Sequence, residues 1–358
     1  MQARQLLVAA LAAVSVLTGC GGGGPGSSGT TPGPVITPVS SPPSTGVNPD
    51  LVTSVTPPTY AAGTTEKGAW ELLMAQRSTC GFGLLQQDSR LDVASKAHTD
   101  YLVKNSLDRK VSVIGHGENP TWTYFYGAGP DDRAAMAFFP TGVSENLDEF
   151  LSLQSSSLPA PRTAGEALGA SSMRTLIETV YHARGAFWAG RSGGIGSSLA
   201  TGPSATAGFN QTQFRMVAEV SNEADTLKQK LGTGNVATWP CNGLTGVRGT
   251  FTPATEVPNP FPDVTTASTK YGTPVYFKAD AGSTLVVAFA TVTKSTDGAV
   301  LALRQLTKAN DPAGEIGAHE VFLVPTAALS PGSTYAVSAT GTLNGTAFMK
   351  AFTFSTAP

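Results

Sequence analysis

The sequence changes character once, around Trp239-Pro240-Cys241, and that change limits the folds open to the chain. Ahead of it, apolar residues recur at helical and at strand spacings. Beyond it, Pro253, Pro258, Pro260 and Pro262 form a stiff connector, and only short β-rich runs follow: 275–279, 285–292, 300–306, 320–324, 334–339 and 348–354. Turn residues separate these runs, and Asn344-Gly345 is a hairpin dipeptide. Short strands without a helical pattern read as a small β-sandwich of Ig-like type over 248–358.

The half before the break mixes helix and strand, and the chain as a whole reads as α+β. Trp70, Leu73, Met74 and Arg77 recur at helical spacing until Cys80-Gly81-Phe82-Gly83 breaks the pattern. Asp88-Ser89 introduce a second helix, with Leu91, Ala94, His98, Tyr101 and Leu102 on one face. A third helix is expected over 172–186, with Met173, Leu176, Ile177, Val180 and Phe187 as its apolar stripe. Residues 215–220 alternate as a strand does.

The amino terminus reads as an export signal. A short basic start, with Arg4, precedes an apolar run over 6–17, about a dozen residues long, which suits a signal-peptide core. A helix crossing a bilayer needs about 20. The run ends Leu17-Thr18-Gly19-Cys20, which resembles a bacterial lipobox and implies cleavage after residue 19 and lipidation of Cys20. From 21 to 49 the chain is Gly, Pro, Ser and Thr with one Asn (Asn48), a few aliphatics and no charge, a composition that cannot bury a core; 20–65 is expected to be a tether. The expected location is the outer membrane or the cell surface, reached through the lipid anchor.

Removing 1–19 takes away Arg4 and leaves 22 basic against 25 acidic residues, a net charge of −3. No basic patch stands out to hold nucleic acid. The remaining cysteines, Cys80 and Cys241, are expected to pair in an oxidising compartment, with two free thiols as the alternative.

Four residues carry candidate chemistry. His116 and Glu118 lie in Gly115-His116-Gly117-Glu118, Glu145 in Ser144-Glu145-Asn146-Leu147, and His182 in Tyr181-His182-Ala183-Arg184. Two imidazoles and one or two carboxylates suit a divalent metal such as zinc, for which His116, His182 and Glu145 are the expected ligands, or an acid/base pair. Alternatively they are polar loop residues. His98, on an apolar helix face, reads as a satisfied core histidine, and His319 as a surface residue.

These motifs, with Arg77-Ser78-Thr79-Cys80-Gly81, Leu91-Asp92-Val93-Ala94 and Gly193-Gly194-Ile195-Gly196, occur in an order that resembles the CAP superfamily of cysteine-rich secretory proteins, antigen 5 and pathogenesis-related proteins, including its bacterial SCP-like extracellular members. The resemblance runs over about 69–220. It implies a three-layer α-β-α sandwich over 66–237, with a cleft lined by two histidines and two acidic residues: His116, His182, Glu145 and Glu118, with Glu178 as competitor for the last place. Ser144 replaces the usual glycine before Glu-Asn, and Ala183 separates His182 from Arg184.

Gly190-Arg191-Ser192-Gly193-Gly194 formally fits a nucleophile elbow, but an elbow needs a strand before the serine and a helix after it; here a helix precedes, glycine-rich sequence follows, and His319 is the only histidine downstream. The family implies a surface protein that binds a metal, a small or lipidic ligand, or an envelope protein, without a shared reaction. Binding rather than catalysis is therefore expected. A cleft-based hydrolase, with or without metal, and a structural envelope protein are the alternatives.

Overall fold

The computed structural model describes residues 50–358 together with a two-residue strand, Leu17–Thr18. The rest of the expected signal segment, Cys20 and the tether up to residue 49 lie outside the described residues.

The first half is built on a long antiparallel ribbon. Strand β1 (Gly142–Ser155) pairs along its length with β3 (Phe209–Asn222), which pairs on its other side with β2 (Ser192–Pro203). Gln86–Gln87 extends one edge, and Leu17–Thr18 with Glu256–Val257 the other. Helices cover both faces. On one lie α2 (Ser89–Arg109) and the short α3 (Pro130–Met136); on the other lie α1 (Thr65–Cys80), α4 (Glu166–Ile177) and α5 (Tyr181–Ala186). Among the described residues, no helix is long and apolar enough to cross a membrane.

The local chemistry explains the boundaries. Thr64 caps the start of α1, and Gly81 ends it in the left-handed region at φ 75°, returning its N–H to the Arg77 and Ser78 carbonyls. Asp88 caps α2 through the Arg90 N–H at 3.0 Å. The glycines of 193–196, which look like loop sequence, are strand residues because α2 lies directly on them. A Cβ at Gly194 would come within 2.5 Å of Leu91, and one at Gly196 within 2.2 Å of the Lys96 nitrogen.

The expected third helix is two helices. It breaks at Glu178–Val180, where the Glu256 carboxylate accepts the N–H groups of Val180, Tyr181 and His182 at 3.1, 2.6 and 3.3 Å and starts a new helix. Nor does the ordered chain wait for residue 65. Residues 50–62 strap across the sheet edge, where side-chain amides take their backbone N–H groups: Gln229 that of Val52 at 2.8 Å and Gln86 that of Thr56 at 3.0 Å.

The second half contains two four-stranded sheets. One comprises β7 (Leu285–Lys294), β10 (Thr334–Leu343), β11 (Thr346–Thr356) and β5 (Leu244–Val247). The other comprises β8 (Leu303–Thr307), β9 (Glu320–Pro325), β6 (Val275–Lys278) and β4 (Ala237–Trp239). The hairpin at Asn344-Gly345 joins β10 to β11. The sheets thus begin at Ala237, ahead of the expected 248. Within the proline-rich stretch Glu256 and Phe261 are buried.

One large apolar cluster runs through both halves. Phe82 stacks on Phe187 at 4.4 Å, Phe187 packs against Trp239 at 5.9 Å, and Tyr276 stacks on Phe322 at 4.3 Å, carrying the helical layer into the second sheet. The Cys80–Cys241 disulfide, Cα atoms 5.3 Å apart, ties the end of α1 to the turn between β4 and β5.

Candidate functional site

The α2 face of the ribbon carries a buried line of charge. Alternation along β1 and β3, with the register between them, sets Glu145 opposite Glu219, Leu147 opposite Val217, and Glu149 opposite Arg215, all facing α2. Glu149 and Arg215 neutralise each other at 3.0 Å. Glu145 and Glu219 are like charges in direct opposition, an arrangement that destabilises a sheet unless other groups compensate.

Compensation comes from three segments. Arg133 of α3, fully buried, places Nη2 2.7 Å from Glu145 Oε2, while its Nη1 donates to the His116 carbonyl at 2.9 Å and lies 3.7 Å from Glu118 Oε1. Gly115, at φ 129°, turns the loop so that His116 Nδ1 meets Glu145 Oε1 at 2.7 Å. From α2, His98 donates Nε2–H to the Gly115 carbonyl at 2.9 Å, and its Nδ1 lies 2.8 Å from Glu118 Oε1. Glu118 also accepts the Tyr126 N–H at 2.7 Å.

This geometry separates the two carboxyls electrically. Burial alone would raise both. At Glu145, burial is outweighed by Arg133, His98 and His116, which hold the carboxylate well below its usual range. At Glu219, burial and the Glu145 charge raise the group well above the usual range, and neither of its oxygens meets a donor. Burial and the facing Glu145 carboxylate thus both favour the protonated form of Glu219.

The expected residues therefore do not form one site. His116, Glu145 and Glu118 gather around Arg133. His182 does not join them: it sits on α5, on the opposite face of the sheet, where Nδ1 lies 3.0 Å from Thr179 Oγ1 and 3.3 Å from Glu256 Oε1. The reason is the period of the strand. Glu145 faces α2 and α3, so Asn146 faces α5, where its amide, turned to satisfy both partners, spans the His182 carbonyl and the Ala186 N–H. Glu178 is also remote, bonded to the backbone and guanidinium of Arg248. The second imidazole of the cluster is His98, buried and hydrogen-bonded as a core histidine would be.

Sequence reasoning passed over Arg133 and Glu219. The alternation of 215–220 already puts Arg215, Val217 and Glu219 on one face, which was a usable signal. Arg133 had only the helix start Gly129-Pro130-Asp131-Asp132 to mark it.

His116, His182 and Glu145 do not come together as a zinc-type ligand set. The sheet lies between the histidines, and a guanidinium already holds the cation position between Glu145 and Glu118. Among the described residues, no three His, Cys, Asp or Glu side chains gather so as to hold a metal ion. Ser192 opens β2 with its N–H on Ser221 Oγ at 2.9 Å, in a helix-to-strand setting, so the nucleophile-elbow context is missing. Compared with known proteins, the chain matches no family model and no curated sequence.

Proposed function

We propose that this chain is an exported surface lipoprotein, anchored through Cys20, whose first half is a CAP-type module and whose second half is an Ig-like sandwich. It works by binding an amphipathic small or lipidic ligand rather than by catalysis. The observation that carries this reading is the exposure pattern of the His98–His116–Glu118–Glu145 cluster. Its carboxylates are buried and committed to protein donors, while the His116 side chain is 20% exposed. Such a site offers a polar edge to a ligand and no carboxylate with an open side to activate water. The segment that seats Glu118 and Arg133 also leaves apolar side chains in solvent: Tyr124 is 59% exposed and Phe138 68%, with Met136 close to Phe138 in sequence. Exposed aromatics on the segment that also contributes to the polar cluster suit a ligand with an apolar body and a polar head.

The test is titration of the full chain with a fluorescent fatty acid. Binding should weaken about tenfold in Tyr124→Ser/Phe138→Ser and in His116→Ala, while Phe289→Ser, on the far sandwich, leaves it unchanged. Equal binding by all four proteins overturns the reading. Hydrolysis of a simple ester that vanishes in His116→Ala would favour the hydrolase instead.

A further inference from the structure

Away from that cluster, where the helical layer meets β6, the surface opens into a recess of about 210 Å³ lined by Trp188, Lys228 with its partner Asp225, Lys278, His319 and the Ala281-Gly282 turn. We infer that this recess binds a small organic monoanion, a carboxylate on a compact apolar body.

The argument rests on charge that the protein does not balance. Four cationic side chains surround Trp188. Arg184, Lys228 and Lys278 stand over its ring at 4.7, 4.8 and 5.7 Å, and Arg77 donates to its carbonyl at 3.0 Å. Two of the four have carboxylate partners: Arg184 pairs with Glu320 at 2.9 Å and with Glu315 at 3.5 Å, and Lys228 with Asp225 at 2.7 Å. Arg77, fully buried, is enclosed by the carbonyls of Phe82, Gly83, Ala186 and Trp188. Lys278, also buried, bonds the Phe187 carbonyl at 2.5 Å. The nearby carboxylate of Glu320 is already engaged by Arg184, the Tyr276 hydroxyl and the Gly317 N–H.

A buried cation without a counter-ion is costly, and a cavity beside it gathers the field it leaves. Burial, reinforced by Arg77, Arg184 and Lys228 and opposed by Glu320, brings the Lys278 ammonium down to about 7. One ammonium short of a partner calls for one negative charge. His319, which from sequence reads as a surface residue, is largely buried in this wall, and its burial disfavours the imidazolium. A carboxylate at Lys278 and Lys228 would place its apolar body along Trp188 and the Ala281-Gly282 turn. A dianionic phosphate would exceed the charge available.

The experiment uses the full chain with benzoate, acetate and inorganic phosphate as probes, followed by thermal unfolding and calorimetry. Benzoate should bind tightest of the three and raise the unfolding temperature, and Lys278→Met, which keeps the side-chain volume, should weaken it about tenfold. Independently of that variant, benzoate should slow reductive methylation of Lys278 in the unmodified protein, read by peptide mass. Benzoate that neither stabilises the protein nor shields Lys278 overturns the inference. So does phosphate binding as tightly as benzoate, or a Lys278→Met protein that binds benzoate unchanged.

Discussion

The two faces of β1 solve one problem in different ways. Towards α2 and α3, Glu145 is buried with its charge met by side chains from three segments: Arg133 at 2.7 Å, His116 at 2.7 Å and His98 at 3.9 Å. Towards α4 and α5, the buried Glu256 carboxylate is met by three successive N–H groups of one helix turn, with His182 beside it. The first arrangement needs the loop, α3 and α2 all in place before the charge is tolerable. The second needs one helix start, where the backbone dipoles already point at the anion. A charge held by side-chain cations is therefore exposed to the loss of any one contributor, whereas a charge held by a helix turn is distributed over partners that no side-chain substitution removes.

The largest effect should come from Arg133→Ala. It leaves Glu145 and Glu219 opposed without a guanidinium, and removing one partner of a buried pair destabilises by about 3–5 kcal/mol. Glu256→Ala on the other face leaves three buried helix N–H groups short of an acceptor and should cost about 1–3 kcal/mol. Denaturant unfolding of both variants checks the order. If Glu256→Ala proves the more damaging, the contrast between the two faces is wrong.

How much of this was legible in the sequence follows from the range of the interactions involved. The opening helices, the hairpin at Asn344-Gly345 and the later strands declare themselves through periodicity and turn chemistry, which are local. The glycines at 193–196 hid a strand because their purpose, letting α2 lie on the sheet, is a tertiary contact. The break within 172–186 depends on Glu256, some 75 residues further on. For the site, Glu145 and His116 were readable as motif residues, but their partners were not. Which face Glu145 takes is set by pairing with β3, and that pairing is what excludes His182 and admits His98, Arg133 and Glu219.

The Glu145–Glu219 opposition sharpens through pH. Glu145 is depressed, so its contribution is present above its unfolded value of 4.5 and fades as pH falls below it. Glu219 is raised, so its contribution is present below 4.5 and is lost as pH climbs towards its folded value. Glu219→Gln keeps the shape but cannot ionise. The variant should match the parent near pH 4 and exceed it increasingly above, by up to about 1.4 kcal/mol per pH unit until the folded value is passed. Asp148, raised by burial to about 6, and Glu178, raised by burial to about 7, slope the same way in both proteins and cancel in the difference. Parallel stability curves from pH 4 to 9 would mean that Glu219 does not carry the proton.

The smallest effect separates the two imidazoles of the cluster. His98 has no exposed surface and bridges Glu118 and the Gly115 carbonyl, so His98→Ala leaves a buried carboxylate oxygen and a buried carbonyl short of a donor. A loss of about 1–3 kcal/mol is expected, with the position of the His116 loop disturbed as well. His116 is partly in solvent, and when it is truncated Arg133 still holds Glu145 while water can reach the oxygen His116 leaves. His116→Ala should cost less than about 1 kcal/mol. The two midpoints in urea, compared at unchanged slope, measure the difference. Should His116→Ala destabilise as much as His98→Ala, His116 is a structural member of the buried network rather than its outward contact. The ligand-facing role given to it would then fall, even with every contact on the α2 face as described.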